Sequence, residues 1–319
     1  MRPAPAFTEP DPRRSWRTIL SREALDWLAR ATGCAPGSIE TARMKGSTSS
    51  SLFLVRCPGG TESRRFVLRV LDNRAWLAQE PDLADHEAAA LEEARRAGLR
   101  APRLVAYASD EVGFGAPVVL MTFLEGRIEL RPADMRAWLD GLARELASIH
   151  RRPAPAFPWR YRTWTDPAAL APPAWTAIPH TWERAIELVL GAEPDAPPVF
   201  LHRDYHSTNV LWHGDAVSGV VDWINACQGP AGVDVAHCRT NLALMHGPDV
   251  AERFLAAYLE VAEGFAYDPY WDLDSLLGMG LPQPAFYSPW GTFGLGPIPP
   301  EVLRRRADAH LTRVMAPPA

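Results

Sequence analysis

The sequence predicts an α+β protein of two lobes, in which a small antiparallel sheet with one long helix precedes a larger, mostly helical lobe. Apolar residues alternate with a period of two between about residues 39 and 72, and helical periodicity dominates after about residue 132. The 319 residues also suffice for roughly two domains. We place a flexible arm at residues 1–20, the first lobe at 21–124 and the second at 125–319.

Composition excludes several classes of protein. The chain is 47% hydrophobic, and its net charge of −5 without runs of like charge favours neither a nucleic-acid partner nor a membrane surface. The first residues, MRPAPAFTEPDPRRSW, contain no apolar segment typical of a signal peptide or a membrane span. We therefore expect a cytoplasmic protein. Because the four cysteines (34, 57, 227, 238) form no CxxC pair, we expect small core residues and not a zinc ribbon or disulfide framework.

The first-lobe elements follow from local pattern. REALDWLARATG predicts a short helix, and SSLFLVRC and RRFVLRVL predict a hairpin around a Pro58-Gly59-Gly60 turn. A longer helix, ADHEAAALEEARRAG, occupies residues 84–98 and ends at Gly98. Two further strands, RLVAYAS and PVVLMTF, complete a sheet of about five, and residues 124–126 form the hinge after it.

The second lobe is predicted mainly as helices. Helical periodicity covers PADMRAWLDGLARELASIH, HTWERAIELVL, VDVAHCRTNLALM and AERFLAAYLEVAEG. Short apolar strands, PVFLHRD, NVLW and SGVVDW, lie between the second and third of these helices. The stretches 153–178 and 265–300, rich in Pro, Trp and Tyr, are expected to be ordered loops.

The segment FLHRDYHSTNVLW, residues 200–212, carries the strongest chemical signal. His202, Asp204 and Asn209 follow the spacing HxDxxxxN, and Asp222 ends the strand SGVVDW thirteen residues later. Phosphoryl transfer needs such a set, because one carboxylate accepts the proton of the acceptor hydroxyl and two oxygens hold magnesium on the nucleotide phosphates. This pattern makes Asp204 the candidate base, and Asn209 and Asp222 the candidate metal ligands. A turn or N-cap role for Asp204 is the alternative.

The two histidines of this segment permit a second interpretation. His202 and His206 are four residues apart, a spacing that on a helix suggests zinc. No HExxH glutamate lies between them, and the flanking residues predict strands. We therefore expect His202 to hold the loop, with zinc hydrolysis as the alternative chemistry.

The first lobe contains a candidate phosphate grip. Arg69 lies in a strand that is apolar on both faces, and Glu87 falls on the apolar stripe of the long helix. Since a buried charge needs a partner, we predict an Arg69–Glu87 ion pair with Arg69 on phosphate oxygens, the alternative being two surface residues. Gly46, Ser49 and Ser50 form a small polar loop that either covers the phosphates or is a plain turn.

The ordered motifs between about residues 40 and 280 resemble the aminoglycoside phosphotransferase family. They are KGSTSSSLFLV, FVLRV, HEAAALEEARRAGLRAPRLV, VVLMTFLEG, LHRDYHSTNVLW, GVVDW and GVDVAH. The resemblance implies a protein-kinase-like two-lobed fold with ATP, or GTP, in the cleft and Mg2+ on Asn209 and Asp222. It places the base-reading hinge at Thr122, Phe123 and Leu124. It also implies that Asp234 braces the catalytic loop, although an ordinary N-cap explains that residue equally well.

Two departures from the family pattern matter. Arg69 stands where the family usually has lysine, and a guanidinium grips phosphate as a planar fork rather than as a point charge. Arg203 gives the protein-kinase sequence HRD, yet GxGxxG, DFG and APE are missing, so a protein kinase is not expected. The substitution at Arg69 keeps open a second class of function, a nucleotide-binding pseudokinase or scaffold.

The acceptor is predicted from local charge. Residues 241–300 contain seven acids against Arg253, interleaved with aromatic side chains. Such a wall suits a cationic, partly apolar hydroxyl compound, with Asp272, Asp274 and Trp271 as candidate contacts. A solvated acidic face over an aromatic core is the alternative. The family also includes kinases of choline, homoserine, sugars and macrolides, so the acceptor, a role in antibiotic resistance or metabolism, and the oligomeric state stay open.

Overall fold

A computed structural model describes residues 20–45, 49–59, 64–153, 155–279 and 284–316. The first lobe is a five-stranded antiparallel sheet flanked by helices, in the strand order β1-β2-β3-β5-β4. This confirms the predicted sheet and its long helix. The elements are α1 (Arg22–Thr32), β1 (Glu40–Arg43), β2 (Ser51–Cys57), β3 (Arg64–Val70), α2 (Arg74–Gln79), α3 (Leu83–Arg96), β4 (Leu104–Ala108) and β5 (Val118–Thr122).

The alternation in β2 and β3 explains how the sheet is packed. On one face, Leu54 and Val67 lie in the same apolar cluster as Leu91 of α3, and this cluster continues into the second lobe. On the other face, Val55 and Leu68 pack with Leu28 of α1. Because both faces of the sheet are covered, β3 is buried over most of its length, which places Arg69 inside the molecule.

The second lobe is mainly helical, as predicted. Its elements are β6 (Arg127–Ile128), α4 (Met135–His150), α5 (Pro179–Val189), β7 (Pro198–Leu201), β8 (Val210–His213), β9 (Ala216–Val220), β10 (Cys227–Pro230), α6 (Gly232–His246), α7 (Pro248–Val261), α8 (Pro269–Gly278), α9 (Ser288–Thr292) and α10 (Pro300–Val314). The β strands form two small sheets, β6-β8-β9 and β10-β7. Within the part of the chain that the structure describes, no helix is both long and apolar enough to span a bilayer.

The connection between the lobes is tightly packed at Gly126. Its φ of +145° lies in the region that favours glycine, and an added Cβ would approach Ser218 Oγ to 2.3 Å. Glycine is therefore the residue that lets the chain leave β5 against the β8–β9 hairpin. The hinge at residues 124–126 stays a prediction.

Three expectations need correction or lie outside the described residues. Cys34 and Cys57 form a disulfide, contrary to the prediction of four free core cysteines, whereas Cys227 and Cys238 are free and buried as expected. Cys57 ends β2, and Cys34 lies between α1 and β1, the strand that pairs with β2. Their separation of 23 residues does not by itself reveal that they meet. The stretch 265–300 contains α8 and α9 rather than loop alone, because Asp268 caps α8. Residues 1–19 of the predicted arm are not described.

Candidate active site

The β8–β9 hairpin brings the two predicted metal ligands together. Val210 pairs with Val220, and the Val221 N–H donates to the Asn209 carbonyl at 2.9 Å. Asn209 precedes β8 and Asp222 follows β9, so both side chains lie at the same end of the hairpin. Asp222 has a φ of 72°, a left-handed conformation that costs free energy in a residue other than glycine and often occurs at functional sites.

Asp204 lies fully buried in the loop between β7 and β8. The Asn209 side-chain amide donates to the Asp204 carbonyl at 2.9 Å, which fixes the loop around it. His237 Nε2 lies 3.0 Å from Asp204 Oδ1, and His206 Nε2 lies 3.5 Å from it. Burial raises the pKa of Asp204 to about 6, against the opposing effect of neighbouring His206 and Arg203. A carboxylate with this pKa is suited to accept a proton near neutral pH.

The oxygens of Asn209 and Asp222 fit a magnesium ion. Asn209 Oδ1 and Asp222 Oδ2 are buried and have no hydrogen-bond partner among the described residues. Buried polar atoms are usually paired, and unpaired carboxylate and amide oxygens are the ligands that magnesium prefers. These two oxygens therefore fit a metal ion, and the assignment of Asn209 and Asp222 as its ligands stays a prediction.

Arg69 connects the two lobes inside the site. Its Nε lies 2.9 Å from Glu87 Oε2, its Nη2 donates to Asp222 Oδ1 at 2.8 Å, and its Nη1 donates to Ser50 Oγ at 3.1 Å. The side chains of Arg69, Glu87 and Asp222 are 0% exposed, which excludes the alternative of two surface residues. Burial raises the pKa of Glu87 to about 7 and that of Asp222 to about 6, although Arg69 lowers both. The contact with Asp222 is one that the sequence did not predict.

Asp234 braces the catalytic loop. Its carboxylate accepts the backbone N–H groups of His202 at 2.8 Å and Arg203 at 2.7 Å, while His150 Nε2 lies 3.1 Å away. Burial opposes ionisation, yet the hydrogen bonds and charge of His150 prevail and lower the pKa of Asp234. Since Ala231 occupies the N-cap position of α6, the bracing interpretation holds over the N-cap alternative.

The histidines have supporting positions. His202 Nε2 donates to the Val221 carbonyl at 2.9 Å, so this ring links the catalytic loop to the chain before Asp222 and is not available to zinc with His206. His206 instead lies with His237 and Asp204, and their ligand atoms are all within 4.8 Å of one another. Burial lowers the pKa values of His202, His206 and His237 to about 4, which leaves these imidazoles neutral at pH 7. The sequence analysis assigned no role to His237 or His150, although His237 ends the motif GVDVAH.

The predicted nucleotide contacts are only partly described. Thr122, Phe123 and Leu124 are half-buried at the end of β5, and the Phe123 N–H donates to the Arg65 carbonyl at 3.3 Å. Ser49 and Ser50 are buried beside Arg69, whereas Gly46 lies outside the described residues. Lys45, which precedes the undescribed residues 46–48, is exposed.

The predicted acidic wall is not free to bind a cation. Asp272 is 1% exposed and is paired with Arg239, while the Tyr267 hydroxyl donates to it at 2.6 Å. Asp274 is also buried and accepts the hydroxyls of Tyr161, Thr163 and Thr165. The charge count over residues 241–300 was misleading because Arg239 and Arg313, just outside that range, pair with its acids. Trp271 is buried at the wall of a cavity of about 600 Å³.

The fold and this arrangement of Asp204, Asn209 and Asp222 define a protein-kinase-like phosphotransferase class. The chain belongs to the phosphotransferase enzyme family APH, whose sequence model matches residues 46–271. The homoserine kinase of Chelativorans sp. (strain BNC1) is 32% identical over 143 residues, which cover 39% of this chain and 41% of that protein. The chain thus spans about two fifths of the length of this curated relative.

Solved structures agree with the fold. A protein from Ralstonia eutropha, provisionally described as an aminoglycoside phosphotransferase, superposes with a TM-score of 0.65 at 15% identity, over 92% of this chain and 97% of that one. Aminoglycoside phosphotransferase APH(4)-Ia in a ternary complex with ADP and hygromycin B gives a TM-score of 0.56 at 18% identity, over 93% and 100% of the chains. At these identities the likeness establishes a protein-kinase-like fold.

Proposed function

We propose that the protein is an ATP-dependent O-phosphotransferase that transfers the γ-phosphoryl group to a hydroxyl group of a small molecule. The observation that carries this proposal is the buried triad of Asp204, Asn209 and Asp222, in which the last two present unpaired oxygens. A family model that covers residues 46–271 supports the same reaction class. GTP is the alternative donor.

In this mechanism Asp204 accepts the proton of the acceptor hydroxyl while that oxygen attacks the γ-phosphorus, and the bond from this phosphorus to the bridging oxygen breaks to release the nucleoside diphosphate. Its raised pKa of about 6 lets it take the proton and release it again near neutral pH. Asn209 fixes the base, and Asp234 fixes the loop that carries it. Bound magnesium, held by Asn209 and Asp222, supplies charge neutralisation on the nucleotide phosphates.

Removal of the base is the direct test. Asp204→Asn should lower kcat by about 10²- to 10⁴-fold, because the amide is similar in shape but cannot accept the proton. The assay is nucleotide consumption with the best acceptor, and Asp215→Asn, on the exposed β8–β9 turn, is the matched control. Turnover of Asp204→Asn at the wild-type rate would refute the assignment of the base.

The acceptor requires a screen. We infer a hydroxylated small molecule, and the homoserine kinase relative makes L-homoserine the first compound to assay. Aminoglycosides, macrolides, choline and sugars complete the set. The cationic class loses its main support, since Asp272 and Asp274 are both occupied by other side chains. Phosphorylation of an aminoglycoside or a macrolide would favour a role in antibiotic resistance. Phosphorylation of homoserine or choline would favour a role in metabolism.

A nucleotide-binding protein without transferase activity is the second candidate. The Arg69–Asp222 contact favours it, because a guanidinium already occupies one oxygen of a metal ligand. Both the transferase and the scaffold bind nucleotide, so Mg·ATP should raise the unfolding temperature in either case. The reason is that a ligand raises the free energy of unfolding by RT ln(1 + [L]/Kd). Stabilisation by Mg·ATP with no turnover of any acceptor would support the scaffold.

A further inference from the structure

Three arginines are buried among the described residues, and only two of them are neutralised. Arg69 contacts the carboxylates of Glu87 and Asp222, and Arg239 contacts those of Asp272 and Glu252. Arg203 is 7% exposed, yet no described carboxylate lies within ion-pair distance of it. Arg203 therefore has no described carboxylate partner of the kind that the other two arginines have. This is unfavourable, because a buried charge without a counter-charge costs free energy.

Arg203 is nevertheless held in a defined position. Its backbone has a φ of 70°, and its N–H donates to Asp234. The guanidinium carbon lies 3.6 Å from the ring centre of Trp164 and 4.8 Å from that of Tyr161, and one Nη2 bond goes to the Arg162 carbonyl. A guanidinium has about five N–H donors. The two rings therefore orient a group whose hydrogen-bonding capacity is largely unused.

Arg203 lines a cavity of about 410 Å³. Arg160 and Arg162 are exposed at the same cavity, and no described carboxylate forms an ion pair with either. The cavity also contains Glu80 and Asp82, but Asp82 accepts the Trp159 indole N–H at 3.0 Å, and burial raises the pKa of Glu80. Three arginines thus line the cavity together with two carboxylates, one of which accepts an indole N–H.

We propose that this cavity binds an anion, either a carboxylate or a phosphate group, on Arg203 with Arg160 and Arg162 at the rim. Carboxylate and phosphate oxygens match the planar fork of a guanidinium, which can bind them through two parallel hydrogen bonds. The bound anion would supply the counter-charge that no described carboxylate gives to Arg203 at ion-pair distance.

The position of the cavity links the anion to the catalytic loop. Trp164 lies on Arg203 and contacts the His237 ring edge-on at 5.9 Å, and His237 lies 3.0 Å from the Asp204 carboxylate. The anion is therefore either an acidic group of the acceptor itself or a separate effector. If the anion is a group of the acceptor, the inference rests on the proposed phosphotransferase function. The anion-binding site itself does not depend on that function.

Inorganic phosphate is the probe for the site. We would measure its binding by calorimetry to protein saturated with the magnesium complex of a non-hydrolysable ATP analogue, so that the γ-phosphate position of the nucleotide site is also filled. Saturable binding is expected, weakened about tenfold or more in Arg160→Gln/Arg162→Gln, the loss typical of one or two charge-assisted hydrogen bonds. Exposed Arg131, which does not line the cavity, provides the control Arg131→Gln. Both variants avoid the catalytic loop, so misfolding should not obscure the result.

Absence of saturable phosphate binding, or equal weakening in Arg131→Gln, would overturn the proposal. A kinetic arm then separates the two sources. If the anion belongs to the acceptor, the double variant raises KM for a hydroxy acid but not for its uncharged amide. If the anion is an effector, phosphate changes turnover in the wild type and this response is lost in the double variant. The calorimetry measures binding and involves no turnover. Its result therefore tests the anion site even if the protein proves not to be a phosphotransferase.

Discussion

Arg69 and Arg239 are both buried and both contact two carboxylates, but their surroundings differ. Arg239 joins α6 to α7 and α8 within the second lobe, and each of its three nitrogens has a hydrogen-bond acceptor. Arg69 joins the two lobes, and one oxygen of each partner carboxylate, Glu87 Oε1 and Asp222 Oδ2, has no hydrogen-bond partner among the described residues. Beside Arg239, Asp272 Oδ1 also has no such partner, but it faces His310 Nε2 at 3.8 Å and belongs to no candidate metal ligand. The contacts of Arg239 therefore hold three helices together, whereas the unpaired oxygen of Asp222 leaves capacity for a ligand.

Removal of Arg239 should have the largest effect on stability. Arg239→Leu leaves Asp272 as an unpaired buried charge and should lower the free energy of unfolding by about 3–5 kcal/mol. Denaturant unfolding measures this loss, and Arg305→Leu, on the exposed face of α10, is the control. If the variant loses less than about 1 kcal/mol, the value of an exposed ion pair, the network is not structural.

Exchange of the lobe-bridging arginine should have a smaller and ligand-dependent effect. Arg69→Lys cannot keep all three partners and should cost about 1.5–3 kcal/mol without ligand, the value of a hydrogen bond to a charged group. Mg·ATP should reduce this cost, because magnesium then holds the released Asp222. Thermal unfolding with and without Mg·ATP measures both losses of stability. The control Arg239→Lys should lose the same stability with Mg·ATP as without it. If Arg69→Lys also lost the same stability under both conditions, the ligand dependence would be contradicted.

Activity should depend on the ionisation of the buried base. Asp204 must be deprotonated to accept a proton, and its pKa of about 6 is above the ordinary value because of burial. The ionised fraction therefore falls as pH decreases through this value, and kcat should drop about tenfold per pH unit below it. A kcat profile between about pH 5 and 8 measures the drop. A flat profile down to pH 5 would show that proton acceptance does not limit turnover.

His150, which contacts Asp234 behind the catalytic loop, should have the smallest effect on stability and on kcat. His150→Gln removes the ring between Tyr258 and Asp234, but Asp234 keeps its two backbone N–H donors. We expect a loss of about 1 kcal/mol in unfolding free energy and only a modest decrease in kcat. Unfolding and steady-state kinetics test both, with exposed His180→Gln as the control. A larger loss of kcat than in Asp204→Asn would assign His150 a direct role.

Much of the fold was predictable, because the spacing of apolar residues along a short segment indicates which of its side chains are buried. The period of two in β2 and β3, the charged and apolar pattern of α3, and the glycine after it all lie where the sequence placed them. The helices α8 and α9 were missed, since proline and aromatic residues weakened the helical pattern that Asp268 starts. The Cys34–Cys57 disulfide was also missed, because a separation of 23 residues outside any cysteine motif does not indicate which thiols meet in space.

The sequence by itself determined which residues form the candidate site. Asp204, Asn209 and Asp222 could be identified because strand ends and fixed spacing bring them to one edge, and Arg69 and Glu87 because charges on apolar faces need partners. Only the tertiary structure decided how charges pair across distant segments. It gave Arg69 a second carboxylate and gave Asp272 its arginine, and it put no carboxylate of the described residues within ion-pair distance of Arg203. Electrostatic partners are chosen by distance in space, and a charge count along the chain does not contain that distance.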